Sequence, residues 1–292
     1  MSASCSVVPS DAPVVAAGSA PERRTAWVSG ASSGLGHAIA ALLLADGYAV
    51  WGTARDLGRL SRWSGNPSFH PVALDLRDRA GAATAFLAAQ RAAGGAFTVC
   101  VQNAGFGEFG AFAAADPGAW EDAVAALLFG TARLSRLALQ GFATHPPARG
   151  TLVHVSSLAV EFPLPLMSGY NVAKAGLSAL SESLIVECRG TGVTVIDFRP
   201  GDTRTPFNQA MRATTALDHA LEQRIWARLE RNLAGGPAPE TVARDLIRAL
   251  RRGRSGVVRS GSFFQARLGP LLARLAPGAL RRRVLAQYFG LS

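Results

Sequence analysis

Apolar residues along this chain fall in short, nearly unbroken runs that alternate with stretches of helical spacing. The run "TAWVSG" at 25–30 is rich in apolar and β-favouring residues and ends in glycine, which predicts a buried strand. Helical periodicity follows from about Gly34 to Ala45, "YAVWGTA" predicts a second strand, a short polar helix covers 56–63, and "FHPVAL" predicts a third strand. An alanine-rich helix, "RDRAGAATAFLAAQRAAG", leads to a fourth strand, "FTVCVQ". Asp116 followed by Pro117 is an N-cap with proline at the first helical position, and the apolar pattern behind it runs to about Phe142. "TLVHVSS" predicts a fifth strand, 168–189 a helix, and "VTVIDF" a sixth strand, with a helix near 240–252 and "GVVRS" completing the sheet. Strands that are apolar on both faces need helices on both sides. The pattern therefore predicts an α/β fold with a doubly wound parallel sheet, the Rossmann fold, in a single domain over 23–260.

Three further spans stand apart from that alternation. Residues 1–22 are expected to be a flexible tail, with neither the basic start nor the sustained apolar run of a secretory signal. Residues 202–236 are polar and irregular with helical pieces, which suits a substrate lid. Residues 261–292 form a basic, amphipathic, helical extension.

With 292 residues, 49% of them hydrophobic, the chain can bury a full core. Three cysteines, Cys5, Cys100 and Cys188, form no C-x-x-C pair, and the five histidines lack metal-ligand spacing, so neither a disulfide framework nor a metal site is expected. A reduced, cytoplasmic setting fits. No apolar stretch reaches the length of a membrane span. The formal charge of +10 is local: ten arginines and no acid follow Asp245, while the residues up to it balance at 20 against 20. Without aromatic interleaving or a recognised module, that excess does not argue for nucleic acid.

Chemistry enters at the first strand-to-helix turn, "SGASSGLGHAIA", where Gly30, Gly34 and Gly36 flank Ser32, Ser33 and Leu35. Glycines there let the backbone approach a pyrophosphate, and the helix N-terminus offers it free N–H groups. The second strand ends in Thr53, Ala54 and Arg55, with no acid to hold a ribose diol. An arginine can pair with the 2′-phosphate of NADP, so NADP is preferred to NAD. Lys174 raises a separate question, because the other 29 basic residues are all arginine. Four places before it stands Tyr170, on the same face of the predicted helix. An ammonium near a phenol is expected to lower a pKa that starts near 10, and its compact charge can serve a phenol and a ribose together. Ser157 lies at the end of the fifth strand, the edge at which open α/β sheets take ligands. "VSSLA" lacks the G-x-S-x-G elbow of a hydrolase serine, His154 within its strand reads as structural, and Glu108 and Glu161 are candidates for the cleft mouth.

Taken in order, the turn at 29–36, "QNAG" at 102–105, Ser157, Tyr170, Lys174 and "RPGDTRT" at 199–205 make the chain resemble the short-chain dehydrogenase/reductase family from about Thr25 to Ser260. The resemblance implies an NAD(P)-dependent oxidoreductase in which Ser157 hydrogen-bonds the substrate oxygen, Tyr170 exchanges a proton with it, and Lys174 tunes Tyr170 and holds the nicotinamide ribose. It implies that Asp75 and Leu76 meet the adenine and that Asn103, Ala104 and Gly105 pack beside the adenine ribose. It also implies that Pro200 and Gly201 bind the cofactor, with Thr203 and Thr205 on the nicotinamide carboxamide. "NAGFGEFGAF" is similar to members acting on lipophilic alcohols and ketones. One departure stands out: where the family has asparagine in a stretch like N-L-F-G, this chain reads "ALLFGT", with Leu127 in its place. The backbone carbonyl is kept and the amide is lost, which bears on the proton relay beside the lysine.

In the basic end, Leu268, Leu271, Leu272 and Leu275 follow i, i+3, i+4, i+7. Those leucines can cover the substrate cleft or a neighbouring subunit, or lie on an anionic membrane; a docking face for an acidic carrier protein is a third reading. The expectation is a ketone reductase preferring NADP, acting on a lipophilic small molecule, with a homo-oligomer expected by analogy. The rivals are a nucleotide-binding scaffold of the same fold and a protein that acts at a membrane surface through 261–292.

Overall fold

The computed structural model of the chain describes residues 24–144, 149–207, 211–213 and 220–291. The tail expected over 1–22 lies outside them, as do parts of the expected lid. Among the described residues nine strands run in chain order: β1 (Thr25–Val28), β2 (Ala49–Ala54), β3 (Phe69–Ala73), β4 (Val99–Gln102), β5 (Glu108–Phe109), β6 (Gly150–Val155), β7 (Val193–Pro200), β8 (Arg212–Ala213) and β9 (Gly256–Ser260). Seven of them form one parallel sheet in the order β3-β2-β1-β4-β6-β7-β9. From β1 the chain moves outward to β3, then returns to β4 on the other side. The order therefore reverses between β1 and β4, and the crevice beyond their C-terminal ends is where such sheets bind ligands.

Helices α1 (Gly34–Ala45) and α7 (Pro239–Arg252) cover one face; α2 (Arg79–Ala92), α4 (Thr131–Ala143) and α5 (Ser168–Glu187) cover the other. Alternation along β1 shows why Ala26, Trp27 and Val28 are all apolar. Ala26 and Val28 pack beneath Ile39, Leu43, Val242 and Leu246, while Trp27 points the other way into a cluster with Phe86 and Phe97, its ring 4.9 Å from Phe86 edge to face. Every side chain of this strand is buried, so no position is free to be polar and exposed.

The helix expected from Pro117 to Phe142 is one path with an interruption. Helix α3 (Pro117–Val124), capped by the Asp116 carboxylate on the Gly118 N–H, passes through a π-helical turn, Ala125–Gly130, before α4. The π-turn contains Leu127 and is not visible as a period in the sequence. Two elements had no expectation at all: β5 and β8 pair as a two-stranded parallel ribbon, Glu108 opposite Arg212. Beyond β8 come α6 (Ala220–Gly235) and, after β9, the short helices α8 (Gly269–Leu275) and α9 (Gly278–Tyr288). A third apolar cluster joins Phe109, Met167, Ile225, Leu229 and Phe289, so the end of α9 is packed against α6 over the sheet's C-terminal edge.

Candidate active site

At the C-terminal end of β1 the chain turns sharply. Gly30 has φ +72°, and a Cβ there would lie 2.9 Å from the Ala104 Cα. A Cβ on Gly36 would overlap the Gly30 carbonyl oxygen, so α1 can start this close to the strand only with glycine at that position. Asn103 fastens the turn: its Nδ2 donates to the Ser29 carbonyl at 3.0 Å, and Ser29 Oγ accepts from the N–H groups of Asn103 and Ala104, both at 2.9 Å. Ser33, the N-cap of α1, makes no side-chain cap, which leaves the first-turn N–H groups of the helix directed at the crevice. That is the donor set a pyrophosphate requires.

One cavity of about 1490 Å³ runs along this edge of the sheet. Gly30, Ser32, Ser33, Gly34, Leu35 and Gly36 line its first end, with Arg55, Asp75, Leu76, Asn103, Ala104 and Gly105 beside them. Ser157, Tyr170, Lys174, Pro200, Gly201, Thr203 and Thr205 line the other. The expected catalytic and dinucleotide-binding residues are thus brought to one cavity. Glu161 also reaches it, whereas Glu108 is buried against Gly169 and does not.

Arg55 is not alone at the end of β2. Arg59, one turn later in the 3₁₀ segment Leu57–Trp63, lines the same cavity, and a smaller depression beside it is bounded by Ser32, Ser33, Gly58, Arg59, Ser61 and Arg62. Arg59 and Arg62 were overlooked in the sequence, although their i+4 and i+7 spacing from Arg55 was available as a signal. Asp75 is engaged by Arg77, whose Nη2 approaches its carboxylate at 2.6 Å; this hydrogen bond holds the Asp75 carboxyl below its ordinary range.

Tyr170 and Lys174 extend from the first two turns of α5 toward β6. Ser157, just past the end of β6, faces the Tyr170 phenol and accepts from the Ala159 N–H at 3.0 Å. Lys174 Nζ donates to the Val155 carbonyl at 2.7 Å and sits 5.7 Å from the centre of the Tyr170 ring. Burial lowers the Lys174 ammonium to about 8, with Asp197 opposing that shift. The expected lowering of the phenol is not what the geometry produces. Burial raises the Tyr170 pKa, Asp202 pushes it the same way, and the neighbouring Ser157 opposes them. Leu127, in the π-turn, is buried beside Gly105, on the side from which Lys174 Nζ also approaches.

Behind the three residues lies a polar network that the sequence did not disclose. Buried Asp197 accepts from Ser156 Oγ, from Ser178 Oγ at 2.7 Å and from Arg199 Nε at 2.8 Å. Arg199 Nη1 reaches Glu161 Oε1 at 2.7 Å, and Arg259 Nε reaches the same oxygen at 2.7 Å. The network ties β7 and β9 to the turn that carries Ser157. Glu161 is thereby committed to two guanidinium groups. His154 is structural, as expected: buried in β6, it joins Ser135 of α4 at 2.7 Å to Ser181 of α5 at 2.8 Å, and burial lowers its pKa to about 4.

Comparison with known proteins agrees with this architecture. The sequence profile of the family described as short chain dehydrogenase matches residues 24–216. A putative ketoacyl reductase of the monensin polyketide synthase from Streptomyces virginiae is 31% identical over 229 residues, covering 75% of this chain and 87% of that protein. A cis-4-hydroxycyclohexanecarboxylate dehydrogenase from Sinomonas cyclohexanicum is 32% identical, covering 77% and 88%. Among solved structures, a short-chain dehydrogenase from Streptomyces avermitilis superposes with a TM-score of 0.76 at 25% identity, over 91% of this chain and 97% of that one. With the profile spanning most of the chain and the parallel sheet in place, this protein belongs to the short-chain dehydrogenase/reductase family of NAD(P)-dependent oxidoreductases.

Proposed function

We propose that the protein is an NADPH-preferring reductase of a lipophilic ketone, with Tyr170 as proton donor. The observation that carries this reading is the meeting of three groups at one cavity wall: the Ser157 hydroxyl, the Tyr170 phenol and the Lys174 ammonium, 5.7 Å from the centre of the tyrosine ring. The residues present suit a nicotinamide dinucleotide, since the glycine turn exposes helix N–H groups to its pyrophosphate and Arg55 and Arg59 offer cations to a 2′-phosphate. When bound, that cofactor supplies the hydride. Ser157 donates to the ketone oxygen and orients the carbonyl. Tyr170 gives its phenolic proton to that oxygen as the carbon–oxygen π bond breaks, and the product is the secondary alcohol. The phenolate left behind is held by the Lys174 cation and regains a proton from water.

Burial keeps the Tyr170 phenol protonated at neutral pH, the form that a proton donor in ketone reduction requires. A lipophilic substrate fits a cavity whose far end is walled by Phe162, Leu164, Met167, Phe207, Met211 and Leu229. The test is oxidation of NADPH and NADH against aliphatic, steroidal and β-keto compounds, comparing wild type with Tyr170→Phe. Turnover with NADPH that falls about 10²- to 10⁴-fold in the variant, at unchanged cofactor affinity, is expected. Cofactor binding with no Tyr170-dependent turnover on any ketone would establish a nucleotide-binding scaffold in its place.

A further inference from the structure

The C-terminal segment has an inner face with partners and an outer face without apolar cover. Inward, Gln265 donates to the Asp202 carboxylate, the start of α8 packs on Phe162, the Arg228 guanidinium lies 4.6 Å over the Tyr288 ring, and Phe289 is buried in the third cluster. Outward, Phe263 is 77% exposed, Leu271 57% and Leu275 77%, with Phe264, Leu268, Leu280 and Val284 exposed around them. Ten of the 17 exposed large apolar side chains among the described residues fall between 263 and 291, so this is a patch and not the usual scatter. Arg267, Arg281, Arg282 and Arg283 are exposed in the same segment, and no acid follows Asp245 anywhere in the chain.

We propose that this face docks on an anionic phospholipid surface. Hydrocarbon side chains rimmed by arginine supply the two attractions that a lasting interfacial contact needs, burial in the acyl boundary and charge pairing with acidic headgroups. A second copy of the chain brings the same arginines to the same face and is repelled. Leu272, Leu275, Leu280 and Val284 are exposed and at the same time line the cavity, so its mouth opens through the patch. A lipophilic ketone dissolved in the bilayer then enters without crossing water; this delivery role rests on the reductase reading above, while the docking does not.

Cosedimentation of the full-length protein with phosphatidylcholine vesicles, with and without about one third phosphatidylglycerol, tests the proposal. Binding to the anionic vesicles alone, weakened by high salt, is expected. The double variants Phe263→Ser/Leu271→Ser and Arg267→Glu/Arg283→Glu should each lower the vesicle partition coefficient at least about tenfold. None of those four residues lines the cavity, so both variants should keep wild-type turnover of a small water-soluble ketone, which also verifies that they fold. Wild type left in the supernatant with anionic vesicles, or variants that bind as wild type does, overturns the proposal. So does a patch that binds a purified acidic carrier protein, or a second copy by sedimentation velocity, and ignores vesicles. Vesicle binding with no ketone turnover at all would leave the docking standing and remove the reductase.

Discussion

Burial brings the Lys174 ammonium down to about 8, while the Tyr170 phenol is moved upward. Below about 8 the lysine is charged and can hold the phenolate formed when the proton leaves; above it the charge is lost although the phenol still carries its proton. Ketone reduction should therefore fall as pH rises through about 8, and a pH–rate profile at saturating NADPH will show this single limb. Arg55 and Arg59 make a second expectation. Replacing both with alanine should raise the KM for NADPH about tenfold or more and leave that for NADH nearly unchanged, measured by steady-state kinetics with each cofactor. Arg55 was legible because it ends a strand where an acid is otherwise expected. The direction of the Tyr170 shift was not, since desolvation depends on how residues far apart in sequence close around the phenol. The same holds for Arg199 and Glu161, which are distant in sequence and meet only in the fold.

Elements were legible in proportion to how fully they are buried. Strands β1 and β2 have every residue inside, so their sequences are continuous apolar runs that only a two-faced sheet explains. The ribbon of β5 and β8 is two residues long on each side, too short for any period, and the π-turn at Ala125–Gly130 changes hydrogen-bond spacing without changing the apolar pattern. Helix α1 depends on a single close approach. Gly36→Ala should destabilise the fold by about 2 kcal/mol and weaken dinucleotide affinity, because the added methyl pushes the helix from the turn; thermal unfolding and cofactor titration would read both. Burial disfavours the charged form of His154, which joins β6 to α4 and α5. Its folded pKa of about 4 lies below the ordinary 6.5, so the unfolded chain binds the extra proton and stability falls as pH drops from about 6.5 to 4. The loss approaches about 3 kcal/mol, and His154→Asn should flatten that part of the curve of Tm against pH.

For the whole molecule, the C-terminal segment is the part whose role composition could pose but not resolve. Its leucine spacing was plain, yet whether those leucines faced a cleft, a subunit or a membrane depended on where α8 and α9 lie. They lie across the cavity with some side chains turned each way. Phe289 is the pin of that arrangement. Phe289→Ala should loosen 262–291 without unfolding the sheet, seen as faster amide exchange confined to that segment and a higher KM for bulky ketones than for small ones. The near-total use of arginine has a practical consequence. Apart from its amino terminus, the chain offers an acylating reagent one side-chain amine, that of Lys174, and a lowered pKa makes this amine more nucleophilic than an ordinary lysine. A second mass increment on the intact protein, beyond that of the amino terminus, would then report that the reaction centre is open, and its absence that it is shielded.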